Sequence, residues 1–420
     1  MRIKQLKMQS FRGIGDLTID FDEKEPTVFI GINGVGKSSI LDAICLLLSY
    51  FMHWIGSIVD SENVKAFNEF DIANKNIVTK LDITISSSSR GEDSWTIYGG
   101  RDGVTKVLGH EKIQAACNIW RHYLWYNEPQ YNIPLLVYYP TNRAVIDIDL
   151  EVPIKPELKQ IDSYDKALAG GRISFSDLFQ WFRNREDIES ELRLENNPDY
   201  RDKQLEAVRQ AISSLIPNFT KLRVRRSPLR MTLQKDGEEL IVNQLSDGEK
   251  CLLAMVGDLA RRLAIANPGL ENPLDGFGVV LIDEIELHLH PKWQREIIPA
   301  LTRTFSKCQF IVTTHSPQVI SQIKPQGIYI LEKTNDGIIA KRPESSYGRD
   351  SNQILEDLMD VPERPQEIKQ DLLKLFRLID EGNLEVAKEL RKELAEIIGE
   401  DEAQFVKADI LIRRKGLLRK

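Results

Sequence analysis

The chain has 420 residues, of which 42% are hydrophobic and 28% are charged, and its formal net charge is −7. This length predicts roughly two or three globular domains, and the acidic balance argues against a protein that covers nucleic acid with its whole surface. The cysteines stand far apart and form no metal-type pair, so we expect reduced, buried thiols in a cytoplasmic protein. They are Cys45, Cys117, Cys251 and Cys308.

The first chemical motif is a glycine-rich loop between a short β-type run and a helical run. The stretch FIGINGVGKSSILDAI contains the phosphate-loop pattern G-x-x-x-x-G-K-S from Gly31 to Ser38. Glycines let backbone N–H groups curl around phosphate oxygens, and the start of the helix adds partial positive charge. We expect Lys37 to reach the β- and γ-phosphates of a nucleotide and the Ser38 hydroxyl to bind Mg²⁺. The other residues expected at the nucleotide are Asn33, Gly34, Gly36 and Ser39.

The helical run continues into the most apolar window of the chain, residues 40–59. Asp42, Ser49 and His53 interrupt this window, whereas a membrane span needs about 20 predominantly apolar residues. We therefore predict a buried core helix rather than a membrane helix. The N-terminal residues also lack the pattern of a signal peptide.

Two further structural regions follow. Residues 76–89 and 94–100 have the pattern of antiparallel strands with a serine-rich turn between them. From about 165 to 217 the chain is charged and helical in pattern, and NNPD at 196–199 predicts a break between two antiparallel helices.

A basic run, KLRVRRSPLRM at 221–231, follows the predicted helices, and a second one, RRKGLLRK, ends the sequence. Such runs are most often solvated faces. The first could instead follow a DNA or RNA backbone, although no interleaved aromatic residues indicate base stacking. The arginines that would make this contact are Arg223, Arg225, Arg226 and Arg230.

The stretch LSDGE, residues 245–249, precedes an amphipathic helix. Ser246 and Glu249 have the spacing of a capping box, which is a sufficient structural reason for the sequence. A serine and a glycine at a helix N-terminus also form an anion site, so Ser246 and Gly248 are candidate phosphate contacts.

The stretch VVLIDEIELHLHPKW, residues 279–293, ends a buried strand with carboxylates and imidazoles. A metal site is one interpretation, but His288 and His290 lack a third nearby ligand of zinc type. We favour another. If this strand lies beside the strand at 27–31, Asp283 falls near Ser38 and the same Mg²⁺. Glu284 then polarises the attacking water as general base.

A third strand, CQFIVTTHS, ends at His315. This imidazole could cap the following helix. It could equally donate a hydrogen bond to the γ-phosphate, because its strand follows the carboxylate strand by about one crossover's length.

The order of these four motifs resembles that of ABC-type ATPases. MRIKQLKMQSFRGIGDLTIDF directly before the phosphate loop is similar to the SMC/RecF/OLD branch of that family. The resemblance implies an α/β fold: a head with a mixed parallel sheet flanked by helices, an antiparallel β part, a short helical arm and a helical C-terminal tail. It also implies Mg²⁺-dependent ATP hydrolysis between two chains, with Ser246 and Gly248 of one completing the site of the other. Glu284 would be catalytic, His315 the switch histidine, and Arg12 would lie beside the nucleotide.

The same resemblance divides the chain into four regions. Residues 1–150 would form the first ATPase lobe with the phosphate loop, and 151–217 the helical arm. Residues 218–345 would form the second lobe with the signature, Walker B and histidine motifs. Residues 346–420 would form the tail, whose alternating charges predict a solvated helix pair. The family's Q-loop glutamine is absent, and Asn142 or Arg143 is its expected substitute.

A narrower resemblance extends along nearly the whole chain. LLVYYPTNRAV, FSDLFQWFRNRED, HLHPKWQREI and YGRDSNQILEDLMDVPERP are similar to the PtuA group, the ATPases of Septu-type and retron-associated anti-phage systems. Members of that group work with an HNH nuclease, PtuB. The resemblance implies a cytoplasmic ATP-driven switch subunit that forms dimers or higher oligomers and regulates a separate nuclease, since no H-N-H cluster occurs in this sequence. The alternative is a RecF-like DNA clamp that dimerises on duplex DNA with ATP.

Overall fold

The computed structural model describes residues 1–55, 67–74, 76–87, 91–126, 131–143, 158–195, 197–335 and 337–418. The chain forms two compact units, Met1–Arg349 and Asp350–Lys420. The boundaries predicted inside the first unit stay predictions, and the one at 150/151 lies outside the described residues.

The strands of the described residues all belong to the first unit and form three sheets. In chain order they are β1 (Arg2–Phe11), β2 (Ile14–Asp20), β3 (Thr27–Ile30), β4 (Val78–Ser87), β5 (Gly91–Gly100), β6 (Thr105–Leu108), β7 (Leu135–Tyr139), β8 (Phe219–Arg226), β9 (Leu229–Lys235), β10 (Glu238–Ile241), β11 (Gly278–Ile282), β12 (Cys308–Thr313), β13 (Ile328–Thr334) and β14 (Gly337–Lys341).

The helices follow the same numbering, and all except α7 are longer than two turns. In the first unit they are α1 (Lys37–Ile55), α2 (His110–Tyr126), α3 (Phe175–Glu195), α4 (Lys203–Leu215), α5 (Asp247–Ala266), α6 (Pro291–Thr304) and α7 (Pro317–Ile320). In the second unit they are α8 (Ser351–Met359), α9 (Gln366–Glu381), α10 (Leu384–Ile398) and α11 (Ala403–Leu418).

The largest sheet has the order β14-β13-β3-β12-β11-β7, and all its neighbours pair in parallel except β13 and β14. This confirms the predicted α/β fold with a mixed sheet. The prediction that β11 lies beside β3 is wrong, because β12 lies between them. Parallel strands are joined by long crossovers, so order along the chain does not determine order in the sheet. The carboxyl ends of β3, β12 and β11 nevertheless meet at one edge.

The five-stranded sheet is antiparallel, in the order β2-β1-β4-β5-β6. β4 and β5 correspond to the strands predicted from their sequence pattern. The serine-rich turn predicted between them includes residues 88–90, which lie outside the described residues.

α1 is the central helix of the first unit. It contacts β1 and β4 of the antiparallel sheet and β12 of the parallel sheet, and most of its side chains belong to an apolar core that it shares with these strands. Among the described helices it is the one long and apolar enough to cross a membrane, but 67% of its apolar window is buried inside the protein. The predicted core helix is confirmed as far as residue 55.

The helices predicted between 165 and 217 are α3 and α4. Both pack against α5 and against β8, which belongs to the small antiparallel sheet β10-β9-β8. Asp202 caps α4, since its carboxylate accepts a hydrogen bond from the Leu205 N–H at 2.8 Å. The helices therefore lie on the body of the first unit.

A buried group of charged residues links α5 to the end of β7. The Tyr139 hydroxyl donates to Asp258 at 3.0 Å, and Arg261 and Arg262 each donate to Asp258 at 2.7 Å. Arg262 also donates to two carbonyl oxygens in residues 163–165, at 2.8 Å each. Burial alone would raise the pKa of Asp258, but the two arginines lower it to about 2. We call these four side chains the Asp258 cluster.

The second unit has an apolar core of its own, so the prediction of a solvated helix pair is wrong. α9, α10 and α11 share this core, in which Leu375, Ile379 and Phe405 are fully buried. The charged positions that suggested two solvated helices occupy the outer faces, as in the ion pair of Arg391 with Asp409 at 3.1 Å.

Candidate functional site

The phosphate loop connects a fully buried strand, β3, to the first turn of α1. Gly31 has a φ of +145°, and a Cβ added there would lie 2.6 Å from the carbonyl oxygen of Leu331. Only glycine fits this position. Asn33, Gly34 and Ser38 are exposed. The loop therefore presents backbone and hydroxyl groups at the carboxyl edge of the sheet.

Lys37 is the cation of this loop, and it is only 6% exposed. Its ammonium group donates to the carbonyl oxygens of Gly31 and Ile32 at 2.9 and 3.0 Å. Burial lowers the pKa of Lys37, whereas the charges of three carboxylates at the ends of the neighbouring strands raise it. These carboxylates are Asp283, Glu284 and Glu286. The structure therefore brings the predicted phosphate loop and the predicted carboxylate strand together.

Asp283 and Glu284 begin the loop after β11, which we call the carboxylate loop (residues 283–290). Asp283 is 4% exposed and accepts a hydrogen bond from the Thr313 hydroxyl at 2.5 Å. The same hydroxyl oxygen accepts the N–H of Glu284 at 2.7 Å. Glu284 has a φ of +46°, a left-handed conformation that costs a residue with a Cβ about 1–2 kcal/mol. The predicted general base therefore sits on strained backbone.

Glu286 connects the carboxylate loop to the end of β12. It accepts hydrogen bonds from the Thr314 hydroxyl at 2.7 Å and from the His315 N–H at 2.5 Å. Burial, followed by the charge of Lys37, lowers the pKa of the His315 imidazole, while the carboxylates oppose this shift. The imidazole is therefore neutral at pH 7 and can serve as a hydrogen-bond donor.

The two histidines of the carboxylate loop are separate from this cluster. His288 is exposed with a φ of +64°, and His290 caps α6 by accepting the Lys292 N–H at 3.3 Å. Among the residues that the structure describes, no group of three or more His, Cys, Asp or Glu side chains could hold a metal ion. The alternative interpretation as a histidine metal site has no geometric support.

Arg143 is a residue of the site whose contacts were not foreseen. It is 4% exposed, and its guanidinium donates to the carbonyl oxygens of Asp283 and Glu284, the second at 2.7 Å. Asn142, the other predicted Q-loop substitute, is exposed. Local sequence patterns could not reveal this contact, because Arg143 reaches the backbone of residues about 140 positions further on.

The N-terminus of α5 lies against the carboxylate loop. Ser246 and Glu249 form the predicted capping box, in which the Glu249 carboxylate accepts the Ser246 N–H at 3.0 Å. Gly248 packs so closely that an added Cβ would lie 2.2 Å from the carbonyl oxygen of His288. Contact of Ser246 and Gly248 with a phosphate of another chain stays a prediction.

Arg12 lies at the turn between β1 and β2 with a φ of +53°. Its guanidinium donates to Asp71 at 3.0 Å and to Asp42, on α1, at 2.5 Å. Two carboxylates thus hold this side chain in place beside α1. Its contact with a nucleotide stays a prediction.

The basic run at 221–231 carries carboxylate partners within the same chain. Arg223 and Arg225 share Glu239, and Arg226 pairs with Glu186 and Asp187. A nucleic-acid phosphate would have to compete with these partners. Arg230, the fourth arginine predicted there, has no ion pair among those the structure describes, and its Nε is buried.

The family can be assigned by comparison with known proteins. A model for the AAA domain family described as putative AbiEii toxin, Type IV TA system, matches residues 27–321. The Retron Ec83 probable ATPase of Escherichia coli is 30% identical, over 99% of this chain and 87% of that protein. The Septu protein PtuA of Bacillus thuringiensis is 24% identical, over 91% and 90%.

A solved SmcHead, bound to the C-winged helix domain of ScpA, has the same fold with a TM-score of 0.50 and 16% identity, over 82% of this chain and 98% of that one. The chain therefore belongs to this AAA-domain family and is an ATPase with the fold of an SMC head domain, and its relatives include a retron probable ATPase and a Septu protein PtuA.

Proposed function

We propose that this ATPase is the switch subunit of a cytoplasmic anti-phage defence complex, which scaffolds and regulates a separate HNH-type nuclease. The similarity to the Retron Ec83 probable ATPase over 99% of the chain is the observation that carries this proposal. The sequence itself has no H-N-H cluster. Cutting of nucleic acid would therefore belong to a partner chain, and ATP turnover to this one.

The donors present fit ATP and Mg²⁺. The phosphate loop, in which Asn33, Gly34 and Ser38 are exposed, suits a chain of phosphates together with the ammonium of Lys37. The other expected contacts are Gly36 and Ser39. The Ser38 hydroxyl and the Asp283 carboxylate are hard oxygen ligands of the kind that Mg²⁺ prefers. Mg²⁺ would supply neutralisation of charge on the β- and γ-phosphate oxygens. Arg12 would border the nucleotide on the side of α1.

In the proposed reaction Glu284 accepts the proton of the attacking water, and His315 donates a hydrogen bond to the γ-phosphate. The neutral state of His315 supports this, because a neutral imidazole can donate without adding a charge. The left-handed φ of Glu284 supports a functional role for this residue, since strained backbone clusters at active sites.

A second copy of the chain would complete the site. Ser246 is exposed at the N-terminus of α5, so the partial positive charge of that helix end is open to an approaching phosphate. Two chains arranged head to head would then enclose two nucleotides, with Ser246 and Gly248 of each facing the phosphates held by the other. ATP would close this dimer, and hydrolysis would open it.

The test is native mass spectrometry of the Glu284→Gln chain co-expressed with its neighbouring reading frames, with and without ATP. A stable complex with a small nuclease is expected, and its mass gives the stoichiometry. The Lys37→Ala chain is the control, because it should not bind ATP. A bare dimer that forms only with ATP and retains DNA would contradict the nuclease-switch proposal.

That outcome would favour the alternative, a RecF-like clamp on duplex DNA. One observation supports it: Arg223 and Arg225 share a single carboxylate and remain 47% and 41% exposed, which leaves surplus positive charge on the surface. A clamp should hydrolyse ATP faster when duplex DNA is added. Equal rates with and without duplex would count against the clamp.

A further inference from the structure

The carboxylate loop is held by a side chain that has no role in the proposed reaction. We propose that Arg143 is a positioning residue for ATP hydrolysis, which fixes the backbone at Glu284 so that this carboxylate points at the attacking water. The inference rests on the proposed role of Glu284 as general base.

The hydrogen bonds of Arg143 lie on both sides of one Cα atom. Its guanidinium donates to the carbonyl oxygen of Asp283, which belongs to the peptide plane before the Glu284 Cα. It also donates to the carbonyl oxygen of Glu284, which belongs to the plane after it, at 2.7 Å. Since φ and ψ describe how these two planes are rotated about the Cα, one side chain constrains both angles.

Thr313 holds the opposite edges of the same two planes. Its hydroxyl oxygen accepts the Glu284 N–H at 2.7 Å, and its carbonyl oxygen accepts the Ile285 N–H at 3.0 Å. Each plane is therefore bound at its carbonyl and at its N–H. This arrangement explains how a glutamate can remain at a φ of +46°, which is unfavourable for a residue with a Cβ.

Arginine suits this position because the end of β7 places it beside the carboxylate loop and because its guanidinium has several donors in one plane. Arg143 follows β7, which pairs with β11 as far as Tyr139 and Ile282, and its guanidinium also donates to the Pro140 carbonyl at 3.1 Å. The planar fork can reach two acceptors at once in a fixed geometry. A lysine would supply a single point charge that cannot fix two planes.

Loss of Arg143 should therefore affect the chemical step more than nucleotide binding. Without the fork, Glu284 can relax towards an ordinary φ, and its carboxylate moves with the backbone. A displacement of about 1 Å at a reacting group can reduce the rate by about 100-fold. For Arg143→Lys we expect kcat to fall by about 10- to 100-fold, with KM and the affinity for a non-hydrolysable ATP analogue within about twofold of wild type.

The experiment uses the full-length chain. Turnover, analogue binding and Tm are measured for Arg143→Lys, and for Arg143→Ala with guanidinium chloride added in millimolar amounts against equal NaCl. We expect guanidinium, but not NaCl, to restore part of the kcat of Arg143→Ala with saturation. Arg261→Lys is the matched control, because Arg261 is 6% exposed and belongs to the Asp258 cluster. It should lower Tm without lowering the kcat of the folded protein.

Wild-type kcat in folded Arg143→Lys would overturn the inference, as would an equal loss of kcat in Arg261→Lys. Glu284→Gln separates the inference from the proposed function on which it rests. If Glu284→Gln hydrolyses ATP normally, the proposed base is wrong. If Glu284→Gln is inactive while Arg143→Lys is not, only the role of Arg143 fails.

Discussion

Two groups of charged side chains lie near the ends of β7 and β11, and they differ in how their charges are satisfied. In the Asp258 cluster one carboxylate receives hydrogen bonds from two arginines and a tyrosine. At the carboxyl edge of the sheet, three carboxylates face Lys37, whose described hydrogen bonds go to carbonyl oxygens instead. A buried charged group is stable when its members bind one another. The carboxylates at the sheet edge are not hydrogen-bonded to Lys37 in the described contacts, and this is the pattern that we expect of a binding site rather than of a structural cluster.

The comparison predicts that a substitution at the sheet edge lowers kcat without lowering stability, whereas one in the Asp258 cluster lowers stability. The largest effect is expected for Glu284→Gln, which should reduce kcat by about 10²- to 10⁴-fold, the usual contribution of a general base. Its Tm should not fall, because the substitution removes one of three like charges around Lys37. Steady-state ATP hydrolysis and a thermal melt check the two parts. A drop in Tm with kcat retained would mean that Glu284 stabilises the fold and does not act as the general base.

Asp258→Ala should show the reverse pattern. It leaves two buried guanidinium groups without their carboxylate and should lower the free energy of unfolding by about 3–5 kcal/mol. Denaturant unfolding measures this loss. Asp247→Ala is the control on the same helix, since that carboxylate is 84% exposed and should contribute under about 1 kcal/mol. Equal losses in the two variants would mean that the Asp258 cluster is not a structural centre.

Gly248→Ala tests the contact between α5 and the carboxylate loop. Alanine is the better helix former, yet its Cβ would meet the His288 carbonyl at 2.2 Å, so we expect destabilisation by about 1–3 kcal/mol together with slower hydrolysis. Gly257→Ala, in the same helix, meets the end of the Leu178 side chain instead and should be milder. If Gly248→Ala proved as stable and active as wild type, the close packing on His288 would be unimportant.

The smallest effect concerns the charge environment at the sheet edge. Lys37→Met removes a positive charge that lowers the pKa of His315, so the pKa should rise relative to wild type. In the wild type the imidazole should remain neutral when the pH falls just below its ordinary pKa of 6.5. NMR titration of the imidazole signals measures the pKa of His315 in the wild type and in Lys37→Met, and the His315→Gln variant assigns the signal. An unchanged or lower pKa in Lys37→Met would show that Lys37 is not a significant neighbour of His315.

Much of this site could be predicted from short contiguous stretches. The phosphate loop is recognisable because its eight residues, Gly31 to Ser38, follow a fixed pattern between a strand and a helix. The capping box of Ser246 and Glu249 is recognisable because both residues lie in one turn. The order of the parallel strands could not be predicted. It depends on which strand the chain inserts between β3 and β11, and these short, fully buried strands carry no sequence signal that ranks them in this respect.

The hydrogen bonds from Arg143 to the carboxylate loop could not be predicted from the sequence either. Their acceptors are carbonyl oxygens, which every residue carries, so no residue type marks them in the sequence. The left-handed φ of Glu284 could not be predicted either, because glutamate favours neither that conformation nor a turn. Asp258 and the two arginines of its cluster have the spacing of ordinary helical ion pairs. The sequence does not show that this group is buried or that β7 places Tyr139 against it.

The cysteines have a practical consequence. All four are buried and free of disulfides, and burial raises the pKa of Cys308 to about 12 and that of Cys117 as well. Thiolates, which react with maleimide dyes, are therefore scarce on the native protein. A single cysteine introduced at Ile397, which is 68% exposed, could carry a fluorophore without removal of the native thiols. Energy transfer between labelled copies would then follow ATP-dependent association in real time.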